Sequence, residues 1–440
     1  MPKICMVGTG YVGLVSGACL ADFGNMVTCV DIDKSRIDNI EKGIMPIYEP
    51  GLKELVKRNH DAGRLKFTTD LASAVNESLV VFSAVGTPMG EDGSANLSAV
   101  HDVARDVALN MDEYKIFVQK STVPVGTSEE VGKIISANLE KEIPFDLVSN
   151  PEFLREGSAI EDFMRPNRVV LGVESDKARD IMREIYRPLY LLETPIIFTS
   201  IRTAELVKYT SNAFLAVKIS FINEVADLCE EVGANVSEVA RAMGLDKRIG
   251  PKFLHAGVGY GGSCLPKDVS AILHTAEDLG TKLRVIQAAS DVNENRIEGL
   301  IEKLKSEIDN LSGKTIAILG LSFKPNTDDL RHAPSLKLMD SLQELGVTIH
   351  AYDPIAMDNA KKEYGGKVSY FDDAYSAMDG TDGLILMTEW NEFRQLDLEK
   401  IRDLLNEPIV IDCRNIYKPG LMKKMGFRYQ SFGRPSDAMK

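Results

Sequence analysis

One of the six cysteines in this 440-residue chain, Cys264, lies in the run Gly257-Val258-Gly259-Tyr260-Gly261-Gly262-Ser263-Cys264-Leu265-Pro266-Lys267-Asp268. Glycines tolerate positive φ and let a backbone come close to a ligand, so a loop this rich in them suits wrapping a substrate better than filling a core. Lys267 supplies a positive charge that favours a thiolate, and Asp268 a carboxylate that can handle protons. Together they point to a nucleophile; the competing reading is a turn-rich loop with an incidental small residue. The other thiols help to choose. Cys5, Cys19 and Cys29 lie in apolar N-terminal runs, and Cys229 continues a Leu215, Ile219, Ile222, Ala226 stripe at the spacing of a buried helix face. Cys413, at what reads as a strand end, is the one rival.

Lys208 and Asn212 form a second constellation. They stand four apart in a helical pattern from about Thr203 to Glu231, so they project from one side, where a lysine with an amide one turn on can polarise an oxygen. A lysine snorkelling at a helix edge would look the same. The pattern is apolar on more than one face, which predicts burial between domains or subunits and a homodimer.

An alternation of short apolar strands and helices must position these groups. Ile4 to Val7 reads as a buried strand; Gly8-Thr9-Gly10-Tyr11-Val12-Gly13 follows, then a helix to about Phe23 and a second strand, Met26 to Val30, ending at Asp31. In such a unit the glycines serve a tight turn, backbone approach to a pyrophosphate and close helix packing, with phosphate at the helix N-terminus. Asp31 can accept hydrogen bonds from both ribose hydroxyls. Lys34 and Arg36 could take a 2′-phosphate, but Asp31 and Asp33 favour NAD over NADP. Further strands, Leu79 to Val85, Ile116 to Gln119, Asp146 to Ser149 and Val169 to Val173, run into turns, and the ends of three of them carry Thr87, Thr122 and Glu152. Strand carboxyl ends line the crevice of an open α/β sheet, which makes these three site candidates, against a plain turn-and-capping role for the threonines.

A second α/β unit starts at Thr315 to Gly320, with its next strand from Val347 to Asp353. It lacks the GxGxxG pattern, and Lys324, Arg331 and Arg414 can replace backbone cradling for a different phosphate ligand. The expected fold class is α/β: two Rossmann-like doubly wound domains joined by a long central helix and helical dimerisation region, with divisions at 1–200, 201–300 and 301–440.

Composition sets limits. A net charge of -14 argues against a nucleic-acid partner, and no apolar run reaches the ~18 residues that span a bilayer. Six cysteines without close pairing, in a chain that opens Met1-Pro2-Lys3 straight into a strand, predict a cytoplasmic protein with no signal peptide. Six scattered histidines and no CxxC or HxxxH pair predict no metal site.

Gly8 to Gly13, Ser121 to Thr127, Asn150 to Gly157, Lys208 with Asn212, Gly257 to Asp268 and Phe323-Lys324 together resemble the UDP-glucose/GDP-mannose dehydrogenase family, over essentially the whole chain. The resemblance implies oxidation of the C6 hydroxyl of UDP-glucose to the carboxylate of UDP-glucuronate, with two NAD reduced in succession. Under it, Cys264 adds to the intermediate aldehyde, Glu152 assists water attack on a thioester, and Thr122 places a water. Lys208 and Asn212 stabilise the oxygen that turns negative, while Asp268 tunes the thiol, Lys208 or water. The cofactor set expected is Gly8, Gly10, Tyr11, Val12, Gly13, Asp31, Arg36, Thr87, Thr122, Glu156, Lys267 and Arg331. The sugar nucleotide would meet Glu152, Phe153, Leu154, Lys208, Asn212, Arg248, Lys252, Phe253, Leu254, Tyr260 and Gly261, with Phe323 and Lys324 on the uridine diphosphate side. Arg414 would reach into this pocket from its own or a second subunit.

Two rivals share parts of this pattern. An ordinary two-electron dehydrogenase keeps the N-terminal motif but has no use for Cys264, and a non-catalytic NAD-binding scaffold would not need Cys264, Lys208 and Glu152 together. GDP-mannose and N-acetylated UDP-hexosamines stay open as substrates, because discrimination at C2 and C4 lies in pocket shape.

Overall fold

The apolar runs become short buried strands, as near-continuous hydrophobicity demands of a sheet covered on both faces. The computed structural model describes residues 2–434. These divide into two compact units: the first holds the residues up to Ser211 with Ser270–Thr275, the second Asn212–Val269 with the residues from Ala276 onward.

The first unit is built on β1 (Lys3–Val7), β2 (Met26–Val30), β3 (Leu65–Thr68), β4 (Val80–Ser83), β5 (Lys115–Gln119), β6 (Phe145–Ser149), β7 (Val169–Val173) and β8 (Ile196–Thr199). They lie in the order β3-β2-β1-β4-β5-β6-β7-β8, the first six parallel, β7 antiparallel to β6 and β8 parallel to β7. The six parallel strands form a doubly wound Rossmann sheet, whose switch point falls between β1 and β4. Along β1 the pleat sends Ile4 and Met6 to one core layer with Leu14 and Phe82, and Cys5 and Val7 to the other with Val81 and Val107.

The second unit repeats the plan with β9 (Thr315–Leu319), β10 (Thr348–Tyr352), β11 (Ser369–Tyr370), β12 (Gly383–Leu386), β13 (Ile409–Asp412) and β14 (Arg428–Ser431), all parallel in the order β11-β10-β9-β12-β13-β14. Ile316 and Ile318 face a layer with Leu338 and Leu342, while Ala317 and Leu319 face Leu384, Leu386 and Phe393. One helix, Ile201–Val232, contributes residues to both units.

Two local features differ from the sequence reading. β3 and β8, which the sequence reading did not name, are four-residue edge strands; β3 alternates buried with more exposed positions, and β8, though apolar at Ile196 to Phe198, has no fully buried position. The loop from Gly257 stops early. A helix, Leu265–Asp278, begins directly after Cys264, with Pro266 in its first turn and the Asp268 amide donating to the Cys264 carbonyl at 2.9 Å.

Candidate active site

At the carboxyl end of β1, Gly8 takes φ +99°, and a Cβ on Gly13 would stand 1.9 Å from the Gly8 carbonyl oxygen, so turn and helix meet closer than any side chain permits. Gly10 is different. A Cβ there would meet nothing within 4 Å, and the helix it caps, Tyr11–Asp22, has no side-chain cap and no acidic residue in its first turn. Such uncapped amides suit the pyrophosphate of NAD. By contrast, the helix Thr127–Asn138 is already served by a protein carboxyl group: buried Glu205 accepts from the Gly126 amide at 2.8 Å and the Ser128 amide at 2.9 Å.

Asp31 directly follows β2. Its carboxylate accepts from the Thr9 amide (2.8 Å) and hydroxyl (2.7 Å), and Arg36 Nη1 lies at 3.2 Å. Burial opposes its charge, but the Asp33 and Thr9 amides, the Thr9 hydroxyl and the Arg36 guanidinium hold its carboxyl below the ordinary range. The side chain therefore stays ionised and locks the glycine turn to β2. Thr87 Oγ1 donates to the Thr122 carbonyl at 2.9 Å, joining the ends of β4 and β5, both threonines buried. Tyr11 donates its hydroxyl to Glu49, and Glu49 also accepts from the Gly157 amide (2.6 Å) and the Ala159 amide (2.8 Å). Sequence reading passed over Glu49, which fixes the segment carrying Glu152, Phe153, Leu154 and Glu156.

Glu152 and Lys208 form a buried ion pair in the first unit. Lys208 Nζ lies 2.9 Å from Glu152 Oε1, with side-chain exposures of 4 % and 5 %. The Leu154 amide donates to Glu152 Oε2 at 2.5 Å. Burial alone would raise this carboxyl; the Lys208 ammonium, the Leu154 amide and the charge of Lys120 outweigh it and hold it low. The Phe153 ring carries the Arg168 guanidinium at 3.4 Å, with Lys208 Nζ 5.4 Å from its centroid. Neither Lys120 nor Arg168 stood out in the sequence.

In the second unit Cys264 is half-buried at the N-terminus of its helix, with Ser263 Oγ at 3.5 Å from Sγ. A helix N-terminus favours a thiolate. The other five thiols are buried, and burial pushes Cys5 up to about 12 and Cys19, Cys29 and Cys413 higher still. Cys413, the rival thiol, sits in the core beside Ile411 and Phe432, because the strand end it follows turns its side chain inward. Asp268 is wholly buried, taking the Lys267 ammonium on Oδ1 at 2.5 Å and the Asn212 amide on Oδ2 at 2.6 Å. Lys267 is thus engaged with its neighbour, and Asp268 holds Asn212 in place.

The glycines upstream of Cys264 have a packing reason. A Cβ on Gly257 would lie 2.4 Å from the Cys413 carbonyl, one on Gly261 2.3 Å from the His332 carbonyl, and one on Gly262 2.7 Å from the Phe323 ring. The loop therefore lies flat against the segments bearing Phe323, Arg331 and Arg414. Arg414 is fixed by the Met387 carbonyl (2.7 Å), the Phe323 carbonyl (3.2 Å) and Glu389 (3.2 Å). Leu254 and Tyr260 are buried, Phe253 adopts φ +64° and Lys324 is half-buried. Lys252 is exposed, while exposed Arg248 and Arg331 pair with Asp246 and Asp329.

Known proteins resemble this chain over its length. Three models of the UDP-glucose/GDP-mannose dehydrogenase family match in order: the NAD binding domain over residues 2–190, the central domain over 202–295 and the UDP binding domain over 317–419. A UDP-glucose 6-dehydrogenase of Rhizobium meliloti is 52% identical over 98% of this chain and 100% of its own length, and UDP-glucose 6-dehydrogenase TuaD of Bacillus subtilis 47% identical over 99% and 94%. The solved UDP-glucose dehydrogenase of Pyrobaculum islandicum superposes with a TM-score of 0.92 at 36% identity, covering 99% of this chain and 98% of that one. With three successive models and near full-length relatives in agreement, the chain belongs to the UDP-glucose/GDP-mannose dehydrogenase family.

Proposed function

We propose that this protein oxidises C6 of UDP-glucose by four electrons, releasing UDP-glucuronate. The observation that carries the reading is Cys264, the one cysteine of six that is not buried, seated where a helix N-terminus favours its thiolate. A two-electron dehydrogenase needs no such group. NAD, when bound, supplies the hydride acceptor, one molecule for each oxidation.

The first hydride leaves C6 as its hydroxyl loses a proton, giving an aldehyde. Cys264 adds to the aldehyde carbon, forming a C–S bond, so the half-oxidised sugar cannot diffuse away. Loss of the second hydride and the hydroxyl proton turns this thiohemiacetal into a thioester. Water then attacks, the C–S bond breaks, and carboxylate and thiol are released. Lys208 and Asn212 stabilise the negative oxygen at each stage, Glu152 takes a proton from the attacking water, and Thr122 positions that water. Asp268 keeps Asn212 oriented through their hydrogen bond. The cofactor role falls to Gly8, Gly10, Tyr11, Val12, Gly13, Asp31, Arg36, Thr87, Glu156, Lys267 and Arg331. The nucleotide sugar role falls to Phe153, Leu154, Arg248, Lys252, Phe253, Leu254, Tyr260, Gly261, Phe323, Lys324 and Arg414.

The working form is a cytoplasmic homodimer in this reading. Support comes from Phe214, Phe221 and Leu228, which repeat every seven residues along the long helix and are 64%, 47% and 61% exposed. No helix among the described residues is long and apolar enough to cross a membrane. The decisive assay counts NADH formed per UDP-glucose consumed: two, with UDP-glucuronate as product, is expected, and a ratio of one overturns the four-electron scheme.

A further inference from the structure

A pocket in the first unit is lined by Lys120, Asn150, Glu152, Phe153, Arg168 and Tyr186 among others. Lys120 follows β5 and is only 4% exposed. Its ammonium donates to Asn150 Oδ1 at 3.1 Å and lies 5.7 Å from the centre of the Phe163 ring. Asn150 is itself pinned, because Tyr186 donates to the same oxygen at 2.5 Å and Asn150 Nδ2 donates to the Val170 carbonyl at 3.0 Å. Lys120 therefore cannot swing. Lys208, on the proposed chemistry, must turn its ammonium from Glu152 toward a substrate oxygen.

We propose that Lys120 is a positioning residue for Glu152: a second, immobile cation that keeps this buried carboxylate charged while the Lys208 ammonium serves the substrate. A carboxylate this deeply buried takes up a proton when its partner leaves, and a protonated Glu152 cannot accept one from water. Of the other charged and titratable groups around the pocket, the Arg168 guanidinium also feels the Glu152 charge but is stacked on Phe153 and gives a constant background, Asp162 is held by Arg155 through contacts of 2.6–3.2 Å, and the Tyr186 hydroxyl is committed to Asn150. Burial pushes Lys120 down to about 8, so it is still mainly charged at neutral pH.

This inference rests on the proposed role of Glu152, and the test separates the two. Initial rates of UDP-glucuronate formation are measured for the wild type, Lys120→Met and Lys120→Arg from about pH 5.5 to about pH 9. The intact protein mass is recorded under turnover at each pH. In Lys120→Met the acidic limb of kcat is expected to move up by about one pH unit, a roughly tenfold loss below it, with KM for UDP-glucose within about twofold of wild type. A UDP-glucuronyl adduct on Cys264 should accumulate below the limb, and Lys120→Arg should restore the profile. Should Lys120→Met not fold, Lys120→Gln carries the same expectation. A limb that stays in place, or an equal loss at every pH, overturns the role of Lys120. A wild-type enzyme that makes no acid from UDP-glucose overturns the parent reading instead.

Discussion

The Lys208 ammonium meets the Glu152 carboxylate at 2.9 Å, with both side chains almost completely out of water. Each pays for the other's desolvation, so neither charge is independent of its partner. The cation proposed to steady the reacting oxygen and the carboxylate proposed to activate water are thus one electrostatic unit in the resting enzyme. Moving one changes the chemistry of the other.

Glu152→Gln breaks this unit and leaves Lys208 buried with a neutral partner. Removing one member of a buried pair costs about 3–5 kcal/mol, so urea unfolding should show a loss on that scale. The wild type should carry the pH signature: the Glu152 carboxyl is held low in the fold, so its stabilisation is complete above the free-glutamate range and lost as pH falls through the lower folded value. In Glu152→Gln that part of the acid sensitivity should vanish. NADH release should stop near one enzyme equivalent of thioester, because only hydrolysis needs the base.

Thiol chemistry gives a second check. Iodoacetamide should label Cys264 in the native protein well ahead of Cys5, Cys19, Cys29, Cys229 and Cys413, all buried. Cys264→Ala should lose acid formation and the fast label together, whereas Cys413→Ala should keep most activity and lose only packing. Equal labelling of two thiols, or activity lost in Cys413→Ala alone, would reverse the assignment.

Much of the framework was legible because parallel buried strands leave continuous apolar runs: β7 has the bounds the sequence suggests, and β5 and β6 each begin one residue earlier. β3 was not, since its alternating Leu65-Lys66-Phe67-Thr68 leaves no continuous run, and β8 offers only the three apolar residues Ile196 to Phe198 between Pro195 and Ser200. Cys264 was found through its neighbours, but the glycine run hid the helix start that matters most to its thiol. Lys120 and Glu49 could not be found by spacing. Lys120 is covered by Phe163 and held by Asn150, thirty or more residues away, and Glu49 caps amides 108 and 110 residues on. Their only local traces were a lysine ending an apolar strand and a lone acid in the turn Tyr48-Glu49-Pro50-Gly51.

The exposed heptad on the long helix predicts the assembly. Phe221→Asp places a charge in the middle of the Phe214, Phe221, Leu228 stripe, which a solvated surface tolerates and a subunit interface does not. Sedimentation velocity should show a dimer for wild type and a shift toward monomer for the variant at micromolar concentration. An unchanged sedimentation coefficient would remove this face from the interface.

Lys120 should reveal itself in stability as well as in rate. Burial pushes its ammonium down to about 8 in the fold, so below that pH the native state carries a penalty relative to the unfolded chain. The sign follows from proton counting: between the folded and the unfolded value the unfolded chain binds the extra proton, so wild-type stability rises with pH. Lys120→Met removes the titration while Tyr186 still satisfies Asn150 Oδ1. The variant should therefore be at least as stable as wild type at pH 7, and the gap should close as pH climbs from about 8 toward about 10. Urea unfolding of both proteins across that range measures it. A variant that is markedly less stable at pH 7, with a gap independent of pH, would mean that the lysine is kept for packing and not for its charge.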